Sequence, residues 1–244
     1  MKKFLLLLVT FVFVACGKSE VVEVERLKIG TTIFPIYDIA SEIAGDKADV
    51  FQIVPAGASP HTFELTPQLV AEVADADMFF AIGLGLDDFA HDLVHDNADL
   101  SIFSLEHGVN LLGFEEEEHE DEHEDEHGHG EFDPHYWLSA YNGKAMAAQI
   151  AEELMVADPA NEAYYVENLR NFQKEVDAKV AELEVLLSDL EKEPELIVFH
   201  DAWGYFAKEF GMEIIGHFAN EPGKDPTAQD LAALYDLAKE HEVK

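Results

Sequence analysis

From Pro159 to Leu190 apolar side chains recur every three or four positions, with Tyr165, Leu169, Phe172, Val176, Val180, Leu183 and Leu187 on one stripe. The spacing predicts a helix over these 32 residues, which at 1.5 Å per residue spans about 48 Å. A rod of that length exceeds a small domain. It is therefore read as a link between two bodies, ended at Glu193 and Pro194.

On both sides of the rod the chain alternates strand and helix. Leu27 to Thr32 and Val50 to Val54 are short apolar runs that end in turn-rich loops, and Phe34 to Ala44 has helical spacing between them. Thr66 can cap a helix whose first position is Pro67, and Asp77 to Leu84 repeats the strand pattern. A further helix is predicted over Asn142 to Val156. Beyond the rod follow a strand at Leu196 to Phe199, a helix at Ala202 to Phe210, a strand at Met212 to Ile215 and a helix at Thr227 to His241. The expected fold is α/β, with two lobes of mainly parallel sheet, 27–157 and 194–244, joined by a linker helix at 158–193. The second lobe is short for an α/β layer, so it is expected to be truncated at Lys244.

Three histidines stand where such a fold binds ligands. His61 lies in PAGASPHTFELTP after the strand ending at Val54, and His200 in LIVFHDAWGYF, where a strand gives way to His and Asp. His135 lies in EFDPHYWLS, a proline-containing turn before a helix. Two of the three follow the carboxyl ends of strands, the side on which open α/β sheets take ligands. Their separations, 74 and 65 residues, have no local meaning, so only the fold can bring them together. Neutral imidazoles suit zinc, copper and nickel, and three of them leave a fourth tetrahedral position for a carboxylate or water. Asp133 and Asp201 are candidates to orient His135 and His200 by hydrogen bonding.

Charge points the same way. With 51 acidic and 15 basic side chains the formal net charge is -36, which argues against nucleic-acid binding and for cationic partners. A stretch at 115–131, EEEEHEDEHEDEHGHGE, holds 11 acids with His119, His123, His127 and His129 and no base. It is too polar to bury and is read as a solvated loop that collects metal ions weakly and exchangeably. The single cysteine, Cys16, excludes disulfide frameworks and cysteine-rich metal modules.

That cysteine belongs to the amino terminus. MKKFLLLLVTFVFVAC has two lysines and then an apolar run too short for a membrane span, the pattern of an export signal. Phe13, Val14 and Ala15 before Cys16 resemble a bacterial lipobox. The expectation is a signal at 1–15, a lipid anchor on Cys16, a polar tether at 16–26, and a protein exported to the periplasm or the outer side of the membrane.

PHTFELTP, DPHYWLS and HDAWGYFAKEFGM, in that order, resemble the zinc-type (ZnuA/TroA-like) metal solute-binding lipoproteins of bacterial ABC importers. The resemblance spans essentially the whole mature chain. It implies two α/β lobes on one long helix with the metal in the cleft between them, and His61, His135 and His200 as the first three ligands. It further implies a monomer that captures Zn2+ and hands it to an ABC permease. Manganese-type members usually place a carboxylate where this sequence has His200, and the acidic histidine-rich insertion is typical of zinc-type members. The fourth ligand of the family would lie beyond Lys244.

The same residues admit other functions: a manganese or other divalent-metal receptor, a surface adhesin, a metal buffer without an importer, and a metalloenzyme. His91-Asp92-Leu93-Val94-His95 resembles a zincin helix, but Asp92 is shorter than the Glu such enzymes use as general base. His107, His217 and His241 are read as ordinary surface or turn histidines.

Overall fold

The computed structural model describes residues 26–96, 100–113, 131–190, 193–219 and 226–243. The export signal, most of the tether and the acidic histidine run up to Gly130 lie outside the described residues.

The first sheet is built from β1 (Leu27–Thr31), β2 (Ala48–Gln52), β3 (Met78–Ala81) and β4 (Ser101–Ser104), in the order β2-β1-β3-β4 and parallel throughout. Parallel neighbours need crossovers, and α1 (Phe34–Ala44), α2 (Pro67–Val73) and α3 (Phe89–Asp96) supply them. Thr66 caps α2 as its sequence predicts, accepting from the Leu69 N–H at 3.3 Å, with Pro67 at the first turn. β3 reads MFFA and is buried at all four positions, as expected for a strand covered on both faces.

The core joins Ile29, Phe79 and Phe80 of the sheet to Ile36 and Ile43 of α1 and to Met146, Ile150 and Leu154 of α4 (Ala140–Ala157), all of them fully buried. β4 was not foreseen. Its sequence, SIFS, has only the apolar pair Ile102-Phe103, too short a run to mark a strand by itself, and it pairs with β3 in parallel register from Met78↔Ser101 to Ala81↔Ser104.

The long helix is α5 (Glu162–Leu187), 26 residues preceded by a 3-10 turn at Pro159–Asn161, shorter at both ends than the periodicity predicts. Nor is it a free strut along its whole length. Tyr165 is buried, and Leu169 and Phe172 pack against the core formed with α1 and α4. Further along, Val176, Val180 and Leu183 line a cavity of about 380 Å³ together with Phe206 and Phe210.

The second sheet pairs β5 (Glu195–His200) in parallel with β6 (Glu213–Ala219), connected through α6 (Gly204–Glu209). α7 (Ala228–Glu240) packs on β6 and starts from a capping box between Thr227 and Asp230. β6 runs four residues beyond the predicted strand, because β5 keeps its partner paired as far as His200↔Ala219.

Candidate metal centre

The His61 loop is set by local backbone chemistry. After β2, Ile53 and Val54 continue the pairing through N–H bonds to Thr31 and Thr32 carbonyls, both 3.0 Å, and are buried. Pro55-Ala56-Gly57-Ala58 then turns the chain, closed by Ala58 N–H to Pro55 O at 3.0 Å, with Gly57 at φ 85° where a side chain would be strained. A 3-10 turn at Pro60–Thr62 presents His61.

His135 is held more tightly. Its loop starts from an antiparallel bridge, Gly113↔Phe132, reinforced by Asp133 N–H to Leu112 O at 2.8 Å. It ends in a 3-10 turn, Tyr136–Leu138, and then α4, where Ser139 accepts from the Asn142 N–H. The buried Tyr136 hydroxyl donates to Ile82 O at 2.8 Å, fastening the loop to the carboxyl end of β3. His200 closes β5 and brings the third ring from the second sheet.

The three rings converge. Nε2 of His61 and Nε2 of His200 each lie 3.3 Å from Nε2 of His135, and the ring nitrogens offered by all three lie within 4.8 Å of one another. An ion about 2.0–2.1 Å from each imidazole in tetrahedral geometry places its nitrogens about 3.3–3.4 Å apart. His135 is 6% exposed, while His61 and His200 remain partly open.

Asp133 selects the tautomer. Its Oδ1 accepts from the His135 backbone N–H at 2.9 Å and lies 2.7 Å from Nδ1. An ionised carboxylate accepts only, so Nδ1 carries the proton and Nε2 keeps its lone pair for the centre. Asp201 is exposed and acts on His200 through charge alone, so of the two predicted orienting acids only Asp133 makes the hydrogen bond. Burial holds His200 below the ordinary histidine pKa, and the neighbouring His135 adds to the effect.

A residue that sequence reading overlooked completes the frame. Tyr205 of α6, 4% exposed, donates its hydroxyl to Asp133 O at 2.6 Å and accepts from the Leu112 N–H at 2.9 Å. Burial raises its pKa, so the phenol stays protonated as a donor. The available signal was HDAWGYF itself, in which a large aromatic with a polar tip follows a candidate ligand and needs a partner when buried.

The remaining histidines stand apart from this group. His91 is exposed on α3, His107 is exposed in a turn, His217 sits on β6, and His241 pairs with Glu195 at 3.0 Å. His119, His123, His127 and His129 lie outside the described residues. Among the described residues, this is the one group of three or more potential metal-holding side chains.

A family profile described as "ZnuA: Zinc-uptake complex component A periplasmic" matches residues 29–244. The chain belongs to the ZnuA family. Among relatives of this ZnuA-family chain, the high-affinity zinc uptake system protein ZnuA of Bacillus subtilis (strain 168) is 34% identical over 94% of this chain and 74% of its own length. The manganese ABC transporter substrate-binding lipoprotein PsaA of Streptococcus anginosus is 29% identical over 100% of this chain and 80% of its own. A crystal structure of ZnuA shares the architecture with a TM-score of 0.76 at 32% identity, covering 89% of this chain and 80% of that one. ZnuA membership makes the protein a metal-binding receptor of the kind that serves ABC importers, built on the two-lobe fold.

Proposed function

We propose that this receptor captures Zn2+ with His61, His135 and His200 and delivers it to an ABC permease. The observation that carries the proposal is the convergence of three imidazoles, with Nε2 of His61 and of His200 each 3.3 Å from the His135 Nε2 that Asp133 fixes as a lone-pair donor. Three imidazoles form a donor set that suits zinc, whereas manganese favours carboxylate and water oxygens. Manganese, named in the PsaA relative, is therefore the second choice.

The chain acts as a carrier rather than an enzyme. Asp133 engages Nδ1, the ring nitrogen opposite the converging Nε2, and so orients a ligand instead of serving as base for a bound water. Export through the signal at 1–15, lipid attachment at Cys16 and the tether at 16–26 would hold a monomeric receptor at the outer side of the membrane. Lipoprotein relatives support that placement. The lobes are taken as 27–157 and 194–244, linked by 158–193. No helix among the described residues is long and apolar enough to cross a membrane.

Calorimetric titration of zinc and manganese into the wild type, His200→Ala and a deletion of 115–131 tests the proposal. One tight zinc site, absent in His200→Ala and retained in the deletion, is the expected result. Wild-type binding by His200→Ala, with loss in the deletion, would instead make the protein a surface metal buffer.

A further inference from the structure

The centre draws His61 and His135 from loops of the first lobe and His200 from the second. Between His200 and the second-lobe helix α6 there are only three residues, so the ligand and the helix move as one piece. α6 in turn grips the first lobe by its backbone. Tyr205 bonds Asp133 O and Leu112 N–H, and Glu209 accepts from the Ala140 N–H at 2.8 Å. These contacts bracket His135 on both sides, two residues before it and five after it. Two of them, at Leu112 and Asp133, flank the isolated antiparallel bridge Gly113↔Phe132.

Taking His135 as a zinc ligand, we infer that Tyr205 is a positioning residue whose hydroxyl, by holding the Asp133 backbone, sets the carboxylate that orients His135 and couples that orientation to the docking of the second lobe. Asp133 has two jobs at one residue: its carbonyl takes the Tyr205 proton, and its Oδ1 takes two N–H groups of His135. Rotation or withdrawal of its peptide therefore moves the imidazole directly. When the second lobe docks, it brings His200 to the centre and locks His135 in the same motion. When it separates, both are released together, which suits a receptor that must hold a metal tightly and then give it up.

The test compares four forms of the full chain: wild type, Tyr205→Phe, Tyr165→Phe and His135→Ala. Tyr165→Phe is the control, because it also removes the hydrogen-bonding hydroxyl of a buried tyrosine, in this case one donated to the Asp158 carboxylate at 2.8 Å, away from the centre. Each protein is titrated with zinc against a chelator, its zinc release is timed, and its cobalt(II) derivative is examined for the d–d absorption of the tetrahedral site. Tyr205→Phe is expected to weaken zinc binding by about 10- to 100-fold, the range found for residues that orient metal ligands. The loss should appear as faster release with a shifted cobalt spectrum, while Tyr165→Phe loses thermal stability but keeps affinity and spectrum. Wild-type affinity, release and spectrum in Tyr205→Phe would overturn the positioning role, as would equal losses in both tyrosine variants. If His135→Ala binds zinc as the wild type does, the ligand assignment itself fails, and the positioning role with it.

Discussion

Asp133 Oδ1 and His135 Nδ1 lie 2.7 Å apart across a two-residue step, with the proline between them forcing the turn that lets one side chain reach the next but one. The carboxylate decides which ring nitrogen is free. Replacing it with an amide keeps the shape and one acceptor but removes the charge that stabilises the bound imidazole. Asp133→Asn should weaken zinc binding by roughly 10- to 100-fold, and chelator competition would reveal it. An unchanged affinity would show that the carboxylate only shapes the loop.

Metal binding should appear as stability. A cargo that binds the folded state alone adds about 4.1 kcal/mol at 1,000 times its Kd. Thermal melts of the wild type should therefore rise markedly with zinc, and those of His200→Ala should rise little. Equal shifts in both would place the stabilising metal elsewhere.

Acid should weaken both the empty and the loaded protein. Burial, helped by His135, depresses the pKa of His200 below its ordinary value of 6.5. The unfolded chain then takes up the proton more readily than the folded one. Stability from this group is present above that value and is lost as pH falls from it through the depressed folded value. Denaturant unfolding of metal-free protein between pH 7.5 and 5 should show the decline, and His200→Gln should flatten it. Zinc affinity falls over the same range because protons compete for the imidazoles. A slope identical in wild type and variant would assign the decline to other groups.

Gly30 of β1 is buried between aromatic rings, where an added Cβ would overlap the Phe79 ring and stand 3.1 Å from Phe51. Gly30→Ala should cost about 1–3 kcal/mol by overpacking. Chemical denaturation would measure this, and a neutral result would mean that Phe79 has room to turn.

Much of the fold was legible along the chain. Strands β1, β2 and β3, helix α1 and the capped start of α2 stand close to where apolar runs, helical spacing and Thr66-Pro67 put them, because propensity, capping and pattern are local properties. β4 was hard to read, since its two strand-forming residues, Ile102 and Phe103, make too short a run to tell from a loop, and the parallel partner that pairs it, β3, is supplied by the tertiary fold. The ends of α5 were blurred differently: the stripe from Tyr165 to Leu187 lies wholly inside the helix, and what helical spacing overran is the 3-10 turn at Pro159–Asn161 before it and the turn that follows Leu187.

The site divides along the same line. Sequence alone singled out His61, His135 and His200, since imidazoles in turn-rich loops, two of them after strands, are chemically conspicuous, and it named Asp133 as an orienting acid because it lies two positions before His135. Their meeting could not be read from separations of 74 and 65 residues. That convergence depends on the docking of the second lobe against the first, through contacts such as Tyr205 to Asp133. Such contacts join residues far apart in the chain, and a linear pattern carries no record of them.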